Sequence, residues 1–486
     1  MAVSPVCGLE TEYGLIVDAG AGCSQEATAL ALLRHCPVAA RVPWDSGAEA
    51  PGRDARDDPH AMAAGAEEAA PGCDAGYLLG NGARLYVDCG HPEYSTPECA
   101  EPVALVRADR AGELVLERCR RELNRFLPVD QVVRLIKNNV DYQGHSYACH
   151  ENYLVDAGFY RGLFGGPAPL LSQLVPFLVS RIVVCGAGKV GSDNGRTAPT
   201  FQISQRADFF EELLGLQTTS RRPIVNTRDE PHCDPARFRR LHVIIGDSNM
   251  AQVSTYLKVG TLQLLLAMLE EGASLPDLTL ADPLAALLAI SHDPTCRQRV
   301  ELSDGRRLSA VEIQLAFADA AQRFAGRGGA PSWAGEVIER WGTVLHKLAD
   351  EPRQLASTLD WVIKLDLVDR WRQRKRLAWS AAELREIDIR YHDIDREAGI
   401  FYHLESAGAV DRITAEDAIL RAVEDPPSAT RAAVRSGLLR GAGGRVIAGS
   451  WGALLRREDG GPPRRLELAD PTLGPPATAG TAEPRR

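Results

Sequence analysis

Four side chains near the N-terminus are of the types and spacing that hold a cation. In Gly8-Leu9-Glu10-Thr11-Glu12-Tyr13-Gly14 the alternation of a strand puts Glu10 and Glu12 on one face. In Ala83-Arg84-Leu85-Tyr86-Val87-Asp88 it groups Arg84, Tyr86 and Asp88 and sends Leu85 and Val87 the other way. Carboxylate and phenol oxygens are the hard ligands magnesium prefers, above all a magnesium that already carries nucleotide phosphates. Two solvated strand faces are the alternative, but Tyr13, Gly14, Pro92, Glu93 and Tyr94 nearby are odd choices for a plain solvent-facing surface.

Two histidines could serve the same chemistry. His150 stands in His150-Glu151-Asn152-Tyr153 after a polar turn, and strand alternation in Arg239 to Asp247 puts Arg240 and His242 on one face. Each could ligate a metal as a neutral imidazole, hold a phosphate, or sit hydrogen-bonded in the core. His150-Glu151 does not open a zinc-protease motif, because Leu154 occupies the second ligand position. Arg206, Arg228, Arg239 and Arg240 are natural partners for a triphosphate, with surface salt bridges as the plainer reading. The stripe Arg370 to Arg376 reads as a solvated helix face or a docking surface for an acidic partner.

Other chemistries are excluded. Gly186-Ala187-Gly188-Lys189-Val190-Gly191 fits the spacing of a dinucleotide fingerprint, but SDNGRTAPT cannot open the helix that would receive a pyrophosphate. A phosphate loop fails too, with Val183 at the first glycine position and Val190 after the lysine; a Gly-rich turn joining two strands is expected. With 55 Lys+Arg against 65 Asp+Glu, the net charge of -10 argues against a nucleic-acid or anionic-membrane partner. The 11 cysteines are scattered without a C-x-x-C pair, which suits reduced thiols in a cytoplasm. No signal-like N-terminus is present, and the strongest apolar stretch, Leu262 to Leu269, is too short to cross a bilayer.

These groups need a sheet to position them. Strands are expected at Leu9 to Tyr13, Ala83 to Asp88, Val132 to Lys137 and Ser180 to Cys185, with helices at Cys23 to His35 and Ala111 to Phe126 and a mostly helical stretch from Ser254 to Arg376. Elements mix without a βαβ rhythm, so the fold class is α+β with an antiparallel sheet. Residues 42–77 lose all periodicity and read as a long mobile loop. A large domain over 1–398, a small C-terminal domain over 399–455 and a disordered Pro/Gly/Ala-rich tail over 456–486 are expected.

The chain resembles the Pup ligase and Pup deamidase/depupylase family, itself related to glutamine synthetase and the carboxylate-amine ligases. The resemblance rests on Gly8 to Gly14, Asn81 to Asp88, His91-Pro92-Glu93-Tyr94-Ser95, Lys137 to Asp141, His150 to Leu154, Asn226 to His232 and Arg239 to Asn249. Further matches at Trp361, Lys364, Pro426-Pro427, Thr430-Arg431 and Trp451 extend it over roughly residues 6–455. Trp44-Asp45, Glu49, Pro51 and Arg53 to Arg56 resemble the start of a loop that the depupylase branch carries and the ligase branch lacks.

The resemblance implies a glutamine synthetase-like catalytic domain whose antiparallel sheet cradles nucleotide. It implies an amidohydrolase that converts the C-terminal Gln of Pup, the prokaryotic ubiquitin-like protein, to Glu and cleaves the isopeptide bond between Pup and a substrate lysine. ATP, or ADP plus phosphate, and Mg2+ would be bound cofactors; Pup and pupylated proteins would be the partners, with a functional link to a bacterial proteasome system and no nucleic acid or membrane. By motif, Glu10, Tyr86, Glu93, His150 and His242 would bind magnesium, and Glu12, Arg84, Thr96, Arg206, Arg228, Arg240 and Trp451 would surround the nucleotide. Asp88 would be the catalytic carboxylate, as nucleophile or as base for water. Arg84 could pair with a phosphate or with the Pup carboxylate. A Pup ligase and a non-catalytic, nucleotide- and Pup-binding paralogue are the alternatives.

Overall fold

The computed structural model describes residues 5–18, 24–47, 49–50, 52–56, 76–147, 149–165, 170–193, 199–441, 445–458 and 461–475. The strand β1 (Cys7–Glu12) runs through the middle of a nine-stranded sheet. On one side of it lie β6 (His91–Ser95), β5 (Arg84–Asp88), β4 (Gly76–Leu79) and β3 (Arg41–Pro43). On the other lie β8 (Cys149–Asp156), β13 (Phe238–Val243), β12 (Pro223–Asn226) and β11 (Glu212–Gly215). Every pairing is antiparallel except β11 with β12. The expected α+β class with an antiparallel sheet is therefore the observed one.

Alternation sorts the sheet into two faces. In β5 the apolar Leu85 and Val87 are buried and Arg84, Tyr86 and Asp88 are half-buried. The hairpin to β6 turns on Cys89 and Gly90, both with positive φ, a two-residue reversal whose twist suits paired strands. Behind β1 the 25-residue helix Pro102–Phe126 packs against the helix Gln252–Glu270, whose side chains from Gln252 to Leu269 are all buried. A helix buried all round belongs in the interior of a large domain, and its one buried charge, Lys258, donates to the carbonyl of Asp247.

Several elements differ from expectation. Ile182–Cys185 is a short helix following the helix Leu171–Ser180, not a strand; a β-branched apolar run cannot be told from buried helix by pattern, and its burial among helices decides the matter. The glycine turn after it thus joins a helix, not a strand, to β9 (Lys189–Val190). The long helix begins at Pro102, because proline is favoured at a first helical position and Leu105 and Val106 already face the core. His150 and Asn152 belong to a strand rather than a polar segment. Residues 42–77 are not wholly irregular: both ends extend into β3 and β4, while 57–75 lie outside the described residues.

The stretch expected to form a disordered tail carries β18 (Arg464–Glu467), third strand of a small sheet with β16 (Arg445–Gly449) and β17 (Ala453–Arg457). Pairing to β17 gives its backbone partners that composition could not reveal. Residues 476–486 lie outside the description. The basic stripe sits at the end of the helix Asp360–Lys375, where Arg370 pairs with Asp366 and Arg372 with Asp369. No helix among the described residues is long and apolar enough to cross a membrane.

Candidate active site on the sheet face

Register brings the candidate residues together. Glu10 lies opposite His150 on β8 and Ser95 on β6; Glu12 lies opposite Glu93, which in turn lies opposite Tyr86 on β5. His242 lies opposite Asn152, two residues along from His150. Directly opposed residues share a face, so Glu10, Glu12, Tyr86, Asp88, Glu93, His150, Arg240 and His242 all stand on one side of the sheet.

Two groups of donors result. Glu10, His150 and His242 form one, with ligand atoms within 4.8 Å of one another; Glu12, Asp88 and Glu93 form the other on the same criterion. The five ligands expected for magnesium thus divide, Glu93 falling with Glu12 and Asp88, while Tyr86 lies opposite Glu93 and near the acidic group. In the first group His150 Nδ1 is 3.4 Å and His242 Nε2 3.7 Å from Glu10 Oε2. Glu10 Oε1 accepts from Asn152 Nδ2 at 3.1 Å, and Arg240 Nη1 donates to Asn152 Oδ1 at 2.6 Å.

The electrostatics suit a cation. Burial raises the Glu10 carboxyl, but hydrogen bonding with His150 and the positive charge of Arg240 outweigh it and hold the group well below its usual range. Burial depresses both His150 and His242, leaving neutral imidazoles able to offer a lone pair. Glu93 is pushed well above its usual range by burial and by its neighbours Glu12, Asp88 and Glu10, a repulsion that a bound cation would relieve. Both ring nitrogens of His242 are buried without a hydrogen-bond partner, which a buried imidazole tolerates when a metal takes the lone pair. The donor set therefore fits a divalent ion.

The expected anion-binding residues are more scattered. Thr96, Arg240 and Trp451 line one pocket with Gly8, Glu10 and His232. Thr96 Oγ1 accepts from Leu9 N at 3.0 Å, which seats it against β1. Arg206, fully buried, donates to the carbonyl oxygens of Ile244 and Gly246 and to Ser146 Oγ, yet its Nη2 has no partner; Nε of Arg84 and Nε of Arg228 are buried in the same state. Unpaired guanidinium donors around an acidic centre fit a polyanion that bridges to the cation. Arg84, Arg206 and Arg228 are not among that pocket's lining residues.

Some residues of the site gave no signal as separate features. Asn152 links Glu10 to Arg240, and alternation from His150 would have placed it there had the segment read as a strand. His232, on a left-handed backbone at φ 51°, lines the pocket, and its carbonyl accepts from Arg431 Nη1 at 2.8 Å. The stem of the long loop docks here as well: Ala55 N donates to Thr227 O and Asp229 N to Arg53 O, each at 2.8 Å, and Ala50 N donates to Glu230 Oε1.

A sheet face that gathers carboxylates, neutral imidazoles and unsatisfied guanidinium donors has the chemistry to hold a cation and an anion side by side. The chain belongs to the family described as Pup-ligase protein, whose model matches residues 5–455. It is 43% identical to a depupylase of Acidothermus cellulolyticus over 93% of this chain and 90% of that one. It is 44% identical to a Pup–protein ligase of Acidimicrobium ferrooxidans over 75% and 80%. Solved structures of the Pup ligase PafA match it, one in complex with Pup at TM-score 0.79 and 33% identity over 97% of this chain and 90% of that one, another in complex with ADP at TM-score 0.74 and 36% identity over 82% and 87%.

Proposed function

We propose that this chain is a Pup deamidase/depupylase, hydrolysing the carboxamide of the Pup C-terminal Gln and the isopeptide bond between Pup and a protein lysine. The observation that carries the reading is the grouping of Asp88 with Glu12 and Glu93 within 4.8 Å, beside Glu10, His150 and His242, in a chain that matches a depupylase over 93% of its length. Glu10, His150 and His242, with Glu93 and Tyr86 alongside, would hold magnesium; Glu12, Thr96, Arg206, Arg228, Arg240 and Trp451 would surround a nucleotide of the kind the ligase structure holds as ADP. When bound, magnesium and nucleotide would supply positive charge and order at the reacting carbonyl.

Hydrolysis of an unactivated amide needs a nucleophile or base, stabilisation of the oxyanion, and exclusion of competing groups. Asp88 fills the first role, attacking the carbonyl carbon or taking a proton from water. It stands at the end of β5 and is half-buried, open enough to meet a peptide end. Neutral His150 and His242 each keep one ring nitrogen free of a proton, and Asn152 and Arg240 hold the Glu10 carboxylate in one orientation. Trp451 brings the C-terminal segment, read as a small separate domain, over the pocket.

The ligase relative supplies the second reading, joining Pup ending in Glu to lysine. Incubation with Mg-ATP, Pup ending in Gln and a pupylated protein, followed by intact mass, separates the two. Amide-to-acid conversion with release of free substrate, at far less than one ATP consumed per turnover, is expected. Attachment of Pup to lysine with stoichiometric ADP would establish ligation instead.

A further inference from the structure

A carboxylate of this chain already sits on an arginine beside the proposed catalytic residue. The guanidinium of Arg84 packs over the ring of Trp44, at 4.3 Å, and over the ring of Tyr86, at 4.0 Å. Two aromatic rings thus crowd the guanidinium, and the side chain is 15% exposed. Nη1 donates to Glu49 Oε1 at 3.1 Å, and the same oxygen accepts from Trp44 Nε1 at 2.7 Å. Nε of Arg84 is buried and has no hydrogen-bond partner. Glu49 thus engages this guanidinium through Nη1 alone, and the Nε–H on its other edge is a donor to spare for a carboxylate.

Its place in the fold gives this edge a use. Arg84, Tyr86 and Asp88 succeed one another on the same face of β5, so a group held by Arg84 lies on the same face as Asp88. A C-terminal Gln carries two carbonyl groups, the α-carboxylate and the side-chain amide, and only the second is cleaved. The deamidation and isopeptide substrates share the same free α-carboxylate. Resting on the hydrolase reading above, we propose that Arg84 receives the α-carboxylate of the C-terminal residue of Pup and that Glu49 holds its place in the free enzyme. Anchoring there distinguishes a C-terminal Gln from an internal one and presents the side-chain carbonyl to Asp88. Glu49 lies on the docked stem, whose residues around Asp54 pair with Arg228, so a displaced Glu49 stays tethered nearby. A nucleotide phosphate is the competing anion, but the group found on Arg84 is a carboxylate, and Arg84 stands outside the pocket of Thr96, Arg240 and Trp451.

The test compares fluorescently labelled Pup ending in Gln with a free α-carboxylate and the same protein with a C-terminal α-carboxamide, measuring both anisotropy and hydrolysis by mass. Wild-type enzyme is expected to bind the amide-capped form on the order of 10-fold more weakly, the loss of a charged hydrogen-bonded pair. That preference disappears in Arg84→Gln while affinity for Mg-ATP is retained, and Glu49→Gln tightens binding of the free carboxylate several-fold. The capped probe needs no variant, so misfolding cannot obscure the result. Equal binding of both forms by wild type, or loss of nucleotide rather than Pup affinity in Arg84→Gln, overturns the assignment. Selective binding with neither form cleaved would instead refute the hydrolase reading and leave Arg84 as the carboxylate receptor.

Discussion

His242 Nε2 lies 3.7 Å from Glu10 Oε2, on a buried ring whose two nitrogens both lack a hydrogen-bond partner. A histidine kept for packing would donate one N–H to a carbonyl or carboxylate; this one faces a carboxylate without bonding to it, as the proposed metal site requires. In His242→Ala the Mg2+ concentration needed to retain nucleotide should rise about 10- to 100-fold. Titration of Mg2+ against bound fluorescent nucleotide measures it, and an unchanged midpoint would remove His242 from the ligand set.

Asp88 shares its group with Glu12 and Glu93, so replacing it relieves the crowding of three carboxyl groups and leaves the sheet intact. Asp88→Asn should fold and bind nucleotide while amide cleavage falls at least about 100-fold, the lower end for losing a positioned base or nucleophile. Undiminished turnover in a well-folded variant would transfer the role to another carboxylate.

The imidazole of His232 is pushed down to about 3, first by burial and then by the nearby charges of Arg240 and Arg431. A histidine whose folded pKa is depressed binds its proton more readily when unfolded, so it contributes stability above pH ~6.5 that is lost as pH falls toward 3. The slope for one such group is about 1.4 kcal/mol per pH unit. His232→Asn, a residue that tolerates the left-handed backbone at φ 51°, should lose Tm less steeply between pH 6.5 and 5 than the parent. Parallel Tm curves for the two proteins would mean that His232 titrates alike in both states.

Glu98 accepts from Arg431 Nε at 2.7 Å and from Arg435 Nη1 and Nη2 at 3.0 and 2.7 Å, while Arg435 also donates to the carbonyls of Gly82 and Trp451. Burial raises the Glu98 carboxyl, but the two arginines outweigh it and hold the group near 2. Its contribution is present above the ordinary carboxylate range and lost as pH falls through that value. Glu98→Gln leaves two guanidinium groups partly buried without their counter-charge, at a cost of about 3 kcal/mol. Chemical denaturation checks this, and a shift under about 0.5 kcal/mol, the size expected of an ordinary surface change, would show the clamp to be dispensable.

Cys89 occupies the first turn position between β5 and β6 at φ 45°, where a side chain with a Cβ is disfavoured. Cys89→Gly should raise stability by about 0.5–1 kcal/mol without altering the pairing of Asp88 with His91. A lower denaturation midpoint in the variant would show that contacts of the Cys89 side chain outweigh the strain.

The period-two patterns in Gly8–Gly14, Ala83–Asp88 and Arg239–Asp247 determined most of the candidate site's face before any tertiary information, because a strand assigns side chains to faces by counting. Glu10, Glu12, Tyr86, Asp88, Arg240 and His242 were all legible that way, and the motifs around them were enough to point to the family. The division into two donor groups was not legible, since it depends on which residue of β6 or β8 lies opposite which residue of β1, and register is decided by pairing across strands far apart in sequence. Ile182–Cys185 became helix and Arg464–Glu467 strand for a related reason: burial among helices and a free neighbouring edge overrode local pattern. The contact of Glu49 with Arg84 joins residues 35 apart through a segment without periodicity, and only the folded chain, by packing Arg84 over Trp44 and Tyr86, brings those charges together.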